Sequence, residues 1–322
     1  MTRGRSTVAA VALAIALSGA LAVTAGASPP RGAPPTVAEV EAATERFLER
    51  QRGPAAARRG ENGGLTPAPG GAILPANRVV SLYGAPQLPR TIVGMKSPKG
   101  AAAKLLKQSD PYASKGTRPV VGAIDLIATI ATAGPGTDRK YRTRQPDEVI
   151  GTYLKAARSV GARLMLDVQP GRSSLLAEVR ALREWLVLPD VDLAIDPEWA
   201  VGRRGVPGRT PGKVSARKLN KVSLRLAQTV EAAALPPKLL IVHQFRAGSV
   251  RGRSRVVQRP GVEVVLNFDG IGSPRAKASG YAELAARQLF DGFSLFYRRD
   301  RPLMQPASVL RLLPEPDFLL YQ

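Results

Sequence analysis

Residues 191–199 read Val191-Asp192-Leu193-Ala194-Ile195-Asp196-Pro197-Glu198-Trp199. An apolar run of strand length closes on an acid, and a proline then stops it. Seven more short β-prone runs occur along the chain, at 79–83, 120–129, 164–169, 239–244, 262–268, 293–297 and 318–321, and most end in a polar or acidic residue. Helix-forming stretches separate most neighbours, at 98–108, 146–160, 173–188, 215–235, 274–289 and 306–313. Residues 246–261 are basic and glycine-containing with no helical period, so a loop is expected there. Eight strands alternating with helices predict an α/β fold, a closed (β/α)8 barrel over residues 77–322. No helical stretch follows the last run, so this barrel is expected to lack its eighth helix.

The N-terminal part of the 322-residue chain is of a different kind. Arg3 and Arg5 precede an apolar segment of 16 residues, 8–23, and Ala25-Gly26-Ala27 offers a small-residue cleavage site. Residues 1–27 are therefore expected to be a secretory signal peptide. The segment is short for a membrane span, which needs ~20 apolar residues. Residues 28–76 are expected to be an extension carrying one helix at 36–50 and a flexible Pro/Gly-rich linker. Thr36 and Glu39 make a capping box, and the apolar stripe of that helix suits it to cover the strand pair left bare by the missing eighth helix.

Successive strand residues point to opposite faces, and barrel active sites lie where the strands end. The alternation gathers a rim of Tyr83, Asp125, Asp167, Gln169, Asp196, Glu198, His243, Gln244, Asn267, Asp269 and Tyr297. Either polar residue of the His243-Gln244 pair can face inward. Several carboxyls in one mouth raise one another's pKa, and burial raises them further. A raised acid can donate a proton while a neighbour stays anionic, which is the chemistry of glycosidic cleavage. Tyr83, Trp199, Phe245 and Tyr297 offer apolar faces to sugar rings. Asp125 lies mid-run and serves equally well as a buried structural acid. Asp196 and Glu198 have an alternative use as solvated acids paired with Arg203 and Arg204.

Asp196-x-Glu198-Trp199 at the end of the fourth run resembles the Asp-x-Glu signature of (β/α)8-barrel glycoside hydrolases, chitinase-like enzymes and barrel-type lysozymes among them. The resemblance implies that Glu198 is the general acid and that Asp196 orients or charge-stabilises the substrate. Asp269 or Asp167 would assist, and Tyr297 would bring a hydroxyl near the sugar. It covers the strand–helix rhythm and this one motif. Ala194 and Val191 stand where the chitinase signature carries further acids, and the seventh run ends in Tyr297 with no Glu.

Lys and Arg number 47 against 25 Asp and Glu, a net charge of +22. Such a surface attracts acidic polymers. An exported chain with few aromatics near its basic runs is not expected to bind nucleic acid. The expected partner is a polysaccharide or an anionic cell-wall polymer, met outside the cell, with no membrane span after signal cleavage; the oligomeric state stays open. One His and no Cys argue against a transition-metal site. Neither a phosphate-cradling loop nor a nucleophile elbow is present, so no cofactor is expected. A barrel that binds a glycan or anionic polymer without cleaving it is the competing expectation.

Overall fold

A computed structural model describes Leu65, residues 70–286 and residues 288–322. The expected signal peptide, the helix at 36–50 and most of the linker lie outside these residues. The chain runs β1 (Arg78–Gly84), α1 (Pro98–Lys115), β2 (Val120–Ala131), β3 (Arg142–Arg144), α2 (Asp147–Ser159), β4 (Arg163–Val168), α3 (Leu175–Ala181), α4 (Arg183–Leu186) and β5 (Val191–Ile195). It continues through β6 (Val214–Ser215), α5 (Ala216–Ala232), β7 (Lys238–Gln244), β8 (Val250–Arg251), β9 (Val262–Phe268), α6 (Pro274–Leu284), β10 (Phe290–Leu295), α7 (Pro306–Val309) and β11 (Phe318–Tyr321).

Eight of these strands pair in parallel in the order β1-β11-β10-β9-β7-β5-β4-β2, and β2 returns to β1. Val79 is in register with Phe318 on one side and Val121 on the other, so the ring is closed. This is the expected (β/α)8 architecture, and its eighth barrel strand ends at Tyr321. The outward residues Val80, Leu82, Ile124, Leu166, Leu193, Val242 and Leu319 join Leu105, Tyr153 and Leu226 of the surrounding helices in one core. The helices bury stripes at three- and four-residue spacing, as with Leu219, Val222, Leu226 and Val230 of α5. Ser97 caps α1 by accepting a hydrogen bond from Gly100 N at 3.1 Å, and Pro98 opens its first turn.

The barrel interior has three zones. Its middle is apolar, with Ala123, Met165, Ala194, Ile241, Val265 and Leu320. At the N-terminal strand ends lies a charged zone of Arg163, Asp192 and Glu263, all buried, with Lys238 buried next to it on the outer face of β7. Arg163 grips Asp192 through two hydrogen bonds of 2.6 and 2.9 Å. Glu263 accepts Ile73 N at 2.7 Å and Leu74 N at 3.0 Å, so the segment ahead of β1 lies across that end. The third zone, at the C-terminal strand ends, is polar.

Several boundaries differ from expectation. Helix α1 passes Pro111 and reaches Lys115, because Tyr112 is buried and its hydroxyl meets that of Tyr321 at 2.5 Å. The 173–188 stretch divides into α3 and α4. β2 outruns the predicted end and turns back through Gly134–Gly136 to pair antiparallel with β3. The basic stretch 246–261 contains β8, which zips in parallel onto β6 (Val214 with Val250) and so ties the loops after β5 and β7 together.

Candidate functional site at the barrel mouth

The fourth strand of the ring shows how local sequence builds the site. β5 ends at Ile195, and Asp196 caps a single 3-10 turn over Pro197–Trp199 by accepting Glu198 N at 3.0 Å. Pro197 presets the first position of that turn. Gly212 then packs its backbone on the turn, donating N–H to Glu198 O at 2.8 Å. A Cβ at Gly212 would fall 2.3 Å from the carbonyl oxygens of both Pro197 and Glu198, so only glycine permits this approach. The result is a half-buried Glu198 on the rim, with Asp196 buried beneath it.

Below the rim the inward positions form a connected polar layer. Gln169 donates to the Tyr83 hydroxyl at 3.0 Å, and that hydroxyl donates to Asp167 at 3.1 Å. The other end of Gln169 accepts Ala131 N at 3.0 Å. Asn267 donates to Ser294 at 2.8 Å and lies 3.2 Å from His243 Nδ1, with the sharing of the proton set by the histidine tautomer. His243 Nδ1 is also 3.6 Å from Asp269 Oδ2, and its ring meets that of Tyr83 edge-on at 5.8 Å. Gln322, continuing from β11, donates to Asp269 at 2.9 Å. Gly292 has no side chain because a Cβ there would sit 2.7 Å from the Asn267 amide oxygen.

Electrostatics separates these acids. Burial, then the charges of Asp167, Glu198 and Asp269, hold Asp196 well above the usual carboxylate range. Burial with Asp167 and Asp269 does the same to Asp125. Asp167 is pushed up to about 6 by burial, against the pull of His243 and the Tyr83 hydroxyl. Glu198 is pushed up to about 7 by burial and by Asp269, while Arg299 and Arg246 pull it down. The mouth therefore offers carboxyls whose protonated forms persist well above the usual carboxylate range.

Tyr83, Asp125, Asp167, Gln169, Asp196, His243 and Asn267 are brought together as predicted by the alternation, with Glu198 and Asp269 above them. Two predicted residues face elsewhere. Tyr297 lies beyond β10, and its hydroxyl donates to Gln108 of α1. Its ring packs 5.4 Å from that of Tyr321, in the helix-side core. It shares parity with Phe293 and Leu295, both in that core, so the strand period itself turns it outward. Gln244 likewise falls on the face of Leu240 and Val242, leaving His243 as the inward member of its pair. Trp199 is half-buried on the rim, near Gly208. No ion pair joins Asp196 or Glu198 to Arg203 or Arg204 among the described residues. Ser294, Gln322, Arg246 and Arg299 were not anticipated as site residues. Strand parity would have found Ser294; the other three follow strand ends, where a barrel builds its mouth.

Among the described residues, no three His, Cys, Asp or Glu side chains converge as metal ligands, and no helix is long and apolar enough to cross a membrane. No protein-family model and no curated protein matches the chain. Fold and site thus define a class by themselves: a closed (β/α)8 barrel whose mouth gathers carboxyls, several of them held above the usual carboxylate range.

Asp125 is fully buried, and neither of its oxygens has a hydrogen-bond partner among the described residues. Its folded pKa lies above the unfolded one, so the folded state holds a proton that the unfolded state releases. Stability from this group is therefore present at acid pH and declines as pH rises above about 4. Asp125→Asn removes that decline. It is expected to raise the melting temperature at pH 8 by roughly 2–6 °C and to change it little at pH 4. Melting curves at the two pH values would expose an equal or opposite effect.

Proposed function

We propose that the protein is a glycoside-hydrolase-like enzyme that cleaves an extracellular or cell-wall polysaccharide by carboxylate acid–base chemistry. The observation that supports this most directly is Glu198: a rim carboxyl pushed up to about 7, beside a second carboxyl, Asp269. In this reading the protonated Glu198 gives its proton to the glycosidic oxygen as the bond from the anomeric carbon to that oxygen breaks. Asp269 meets the electron deficiency at the anomeric carbon, either by bonding to it or by taking a proton from an attacking water. Water ends on the anomeric carbon, and the leaving sugar keeps the proton from Glu198. Asp196 shapes the turn that carries Glu198. Asp167, held by Tyr83, and the His243–Asn267 pair form the floor beneath the sugar. Export rests on the 1–27 segment.

The acid must be protonated before the step, so activity is lost as pH rises through its pKa. With reducing-end release as readout, kcat/KM is expected to fall above about pH 7, tenfold per pH unit once Glu198 is ionised. An activity that is flat or rising through that range would contradict the assignment.

A second reading is favoured by β10, which points Ser294 inward and contributes no acid to the mouth, its one acid, Asp291, lying at the opposite end of the strand. A barrel of this kind could hold a glycan or an anionic wall polymer without cleaving it. The exposed basic side chains Arg217, Lys218, Lys221 and Arg225 of α5, none in an ion pair among the described residues, suit the same partner. Titration of the polymer at two salt concentrations separates the cases: steep salt dependence without turnover marks a binder.

A further inference from the structure

The cations that follow β7 and β10 at the mouth are not equivalent to the rest of the basic surface. β7, β9 and β10 are consecutive in the ring. Arg246 follows the end of β7 by two residues, Asp269 follows β9 directly, and Arg299 follows β10 by four. Both arginines are exposed, and neither is in an ion pair among the described residues. β7 also adjoins β5, whose end carries Glu198, so Arg246 borders Glu198 on one side and the Asp269 loop on the other. Both arginines, like Asp269, act on the ionisation of Glu198. Several other arginines near the strand ends are engaged, and Arg203, Arg204 and Arg209 of the loop after β5 are exposed but do not bear on Glu198. Arg142 and Arg144 clamp Glu178 at 2.9 and 2.7 Å. Arg172 stacks 3.9 Å from the centre of the Tyr141 ring and donates to Gly205 O at 2.7 Å. Arg298 reaches Met95.

We propose that Arg246 and Arg299 form a subsite for the anionic substituent of an acidic sugar, a carboxylate or a phosphate, seated beside Glu198 and Asp269. Two guanidinium groups with free donors match the paired oxygens of such a group. Phe245, whose ring centre lies 5.1 Å from the Arg246 guanidinium, limits the positions that Arg246 samples and offers a face to the sugar. A neutral sugar would offer these cations hydroxyl acceptors but no charge to neutralise. Burial and neighbouring carboxylates disfavour the charged forms of the deeper Asp125 and Asp196, which lessens their repulsion of an anionic sugar. The inference takes its substrate class from the hydrolase reading, but it concerns binding and stands or falls separately.

The test uses the whole protein and three disaccharides identical except at C6: a carboxylate, a phosphate and a hydroxymethyl group. Affinity is measured by calorimetric titration at fixed salt. At least one anionic disaccharide is expected to bind about tenfold more tightly than the neutral one. The anion that gains identifies the substituent. Arg246→Gln with Arg299→Gln is expected to abolish the preference, bringing the anionic sugars to the affinity of the neutral one. Arg217→Gln with Lys221→Gln removes the same net charge from α5 and is expected to keep the preference. Equal affinities for all three sugars, or no binding at all, would overturn the subsite. So would a preference that survives the first pair of substitutions, or one lost equally through the α5 pair. A protein that shows the preference but hydrolyses none of the sugars refutes the hydrolase reading and keeps the subsite.

Discussion

Glu198→Gln is expected to lower polysaccharide cleavage by about 10³-fold while leaving the fold intact. The general acid contributes roughly 10²–10⁴-fold to such a reaction, and Gln keeps the shape of Glu without a proton to give. The substitution is clean because the Glu198 carboxyl accepts no hydrogen bond from other side chains among the described residues; the turn is held by its backbone. Glu198 N donates to Asp196, and Glu198 O accepts Gly212 N. Neutralising a half-buried acid removes a desolvation cost, so the variant should melt no lower than the wild type at pH 8. Asp269→Asn gives the contrast. Gln322 and His243 both approach that carboxyl, so its loss should disturb the rim as well as the rate. A Glu198→Gln protein that cleaves at the wild-type rate would remove the acid from the mechanism. A protein that loses cleavage and also melts several degrees lower would make the loss structural.

Asp196, Glu198 and Asp269 were legible because they stand at or just beyond the end of an apolar run, and strand parity placed Asp125 and Asp167. With a two-residue period, Ala194, Asp196 and Glu198 share a face opposite Leu193 and Ile195, and one correctly phased strand places the rest. Tyr297 shows what happens when the period is not carried through. Counted from Phe293 and Leu295, it belongs to the outer face, and α1 holds it there. For Gln244 the sequence left either member of the His243-Gln244 pair free to face inward, and the same count from Leu240 and Val242 assigns it to the outer face. Residues at the opposite strand ends were harder to read. Arg163 and Lys238 look like polar punctuation before a strand, yet both are fully buried. Their partners, Asp192 and the carbonyls of Leu188 and Val191, come from another strand and its preceding loop, so no local pattern announces them. Arg246 and Arg299 are two among 47 basic residues, and only the ring order of β7, β9 and β10 sets them apart.

The buried base of the barrel carries the largest expected effect on stability. Asp192 accepts Arg163 Nε at 2.6 Å and Nη2 at 2.9 Å, and it also accepts Leu239 N at 2.9 Å. Arg163 has one further acceptor, Pro189 O at 3.0 Å, and its Nη1 has none among the described residues. Asp192→Ala therefore leaves a fully buried guanidinium with a single carbonyl, and strands Leu239 N as well. Breaking such a pair from one side costs about 3–5 kcal/mol, a large part of the stability of an ordinary domain. Replacing both partners, with Arg163→Met and Asp192→Leu, removes the uncompensated charge. That double variant should recover most of the loss, though not the bond to Leu239 N. The pair is thus expected to contribute less than its geometry suggests, and its disruption to cost far more. Chemical denaturation of the three variants decides it: a single variant within 1 kcal/mol of the wild type, by a linear extrapolation good to ~10–15%, would mean that water or relaxation reaches Arg163. A double variant no better than the single would place the cost in the Leu239 contact and not in the bare charge.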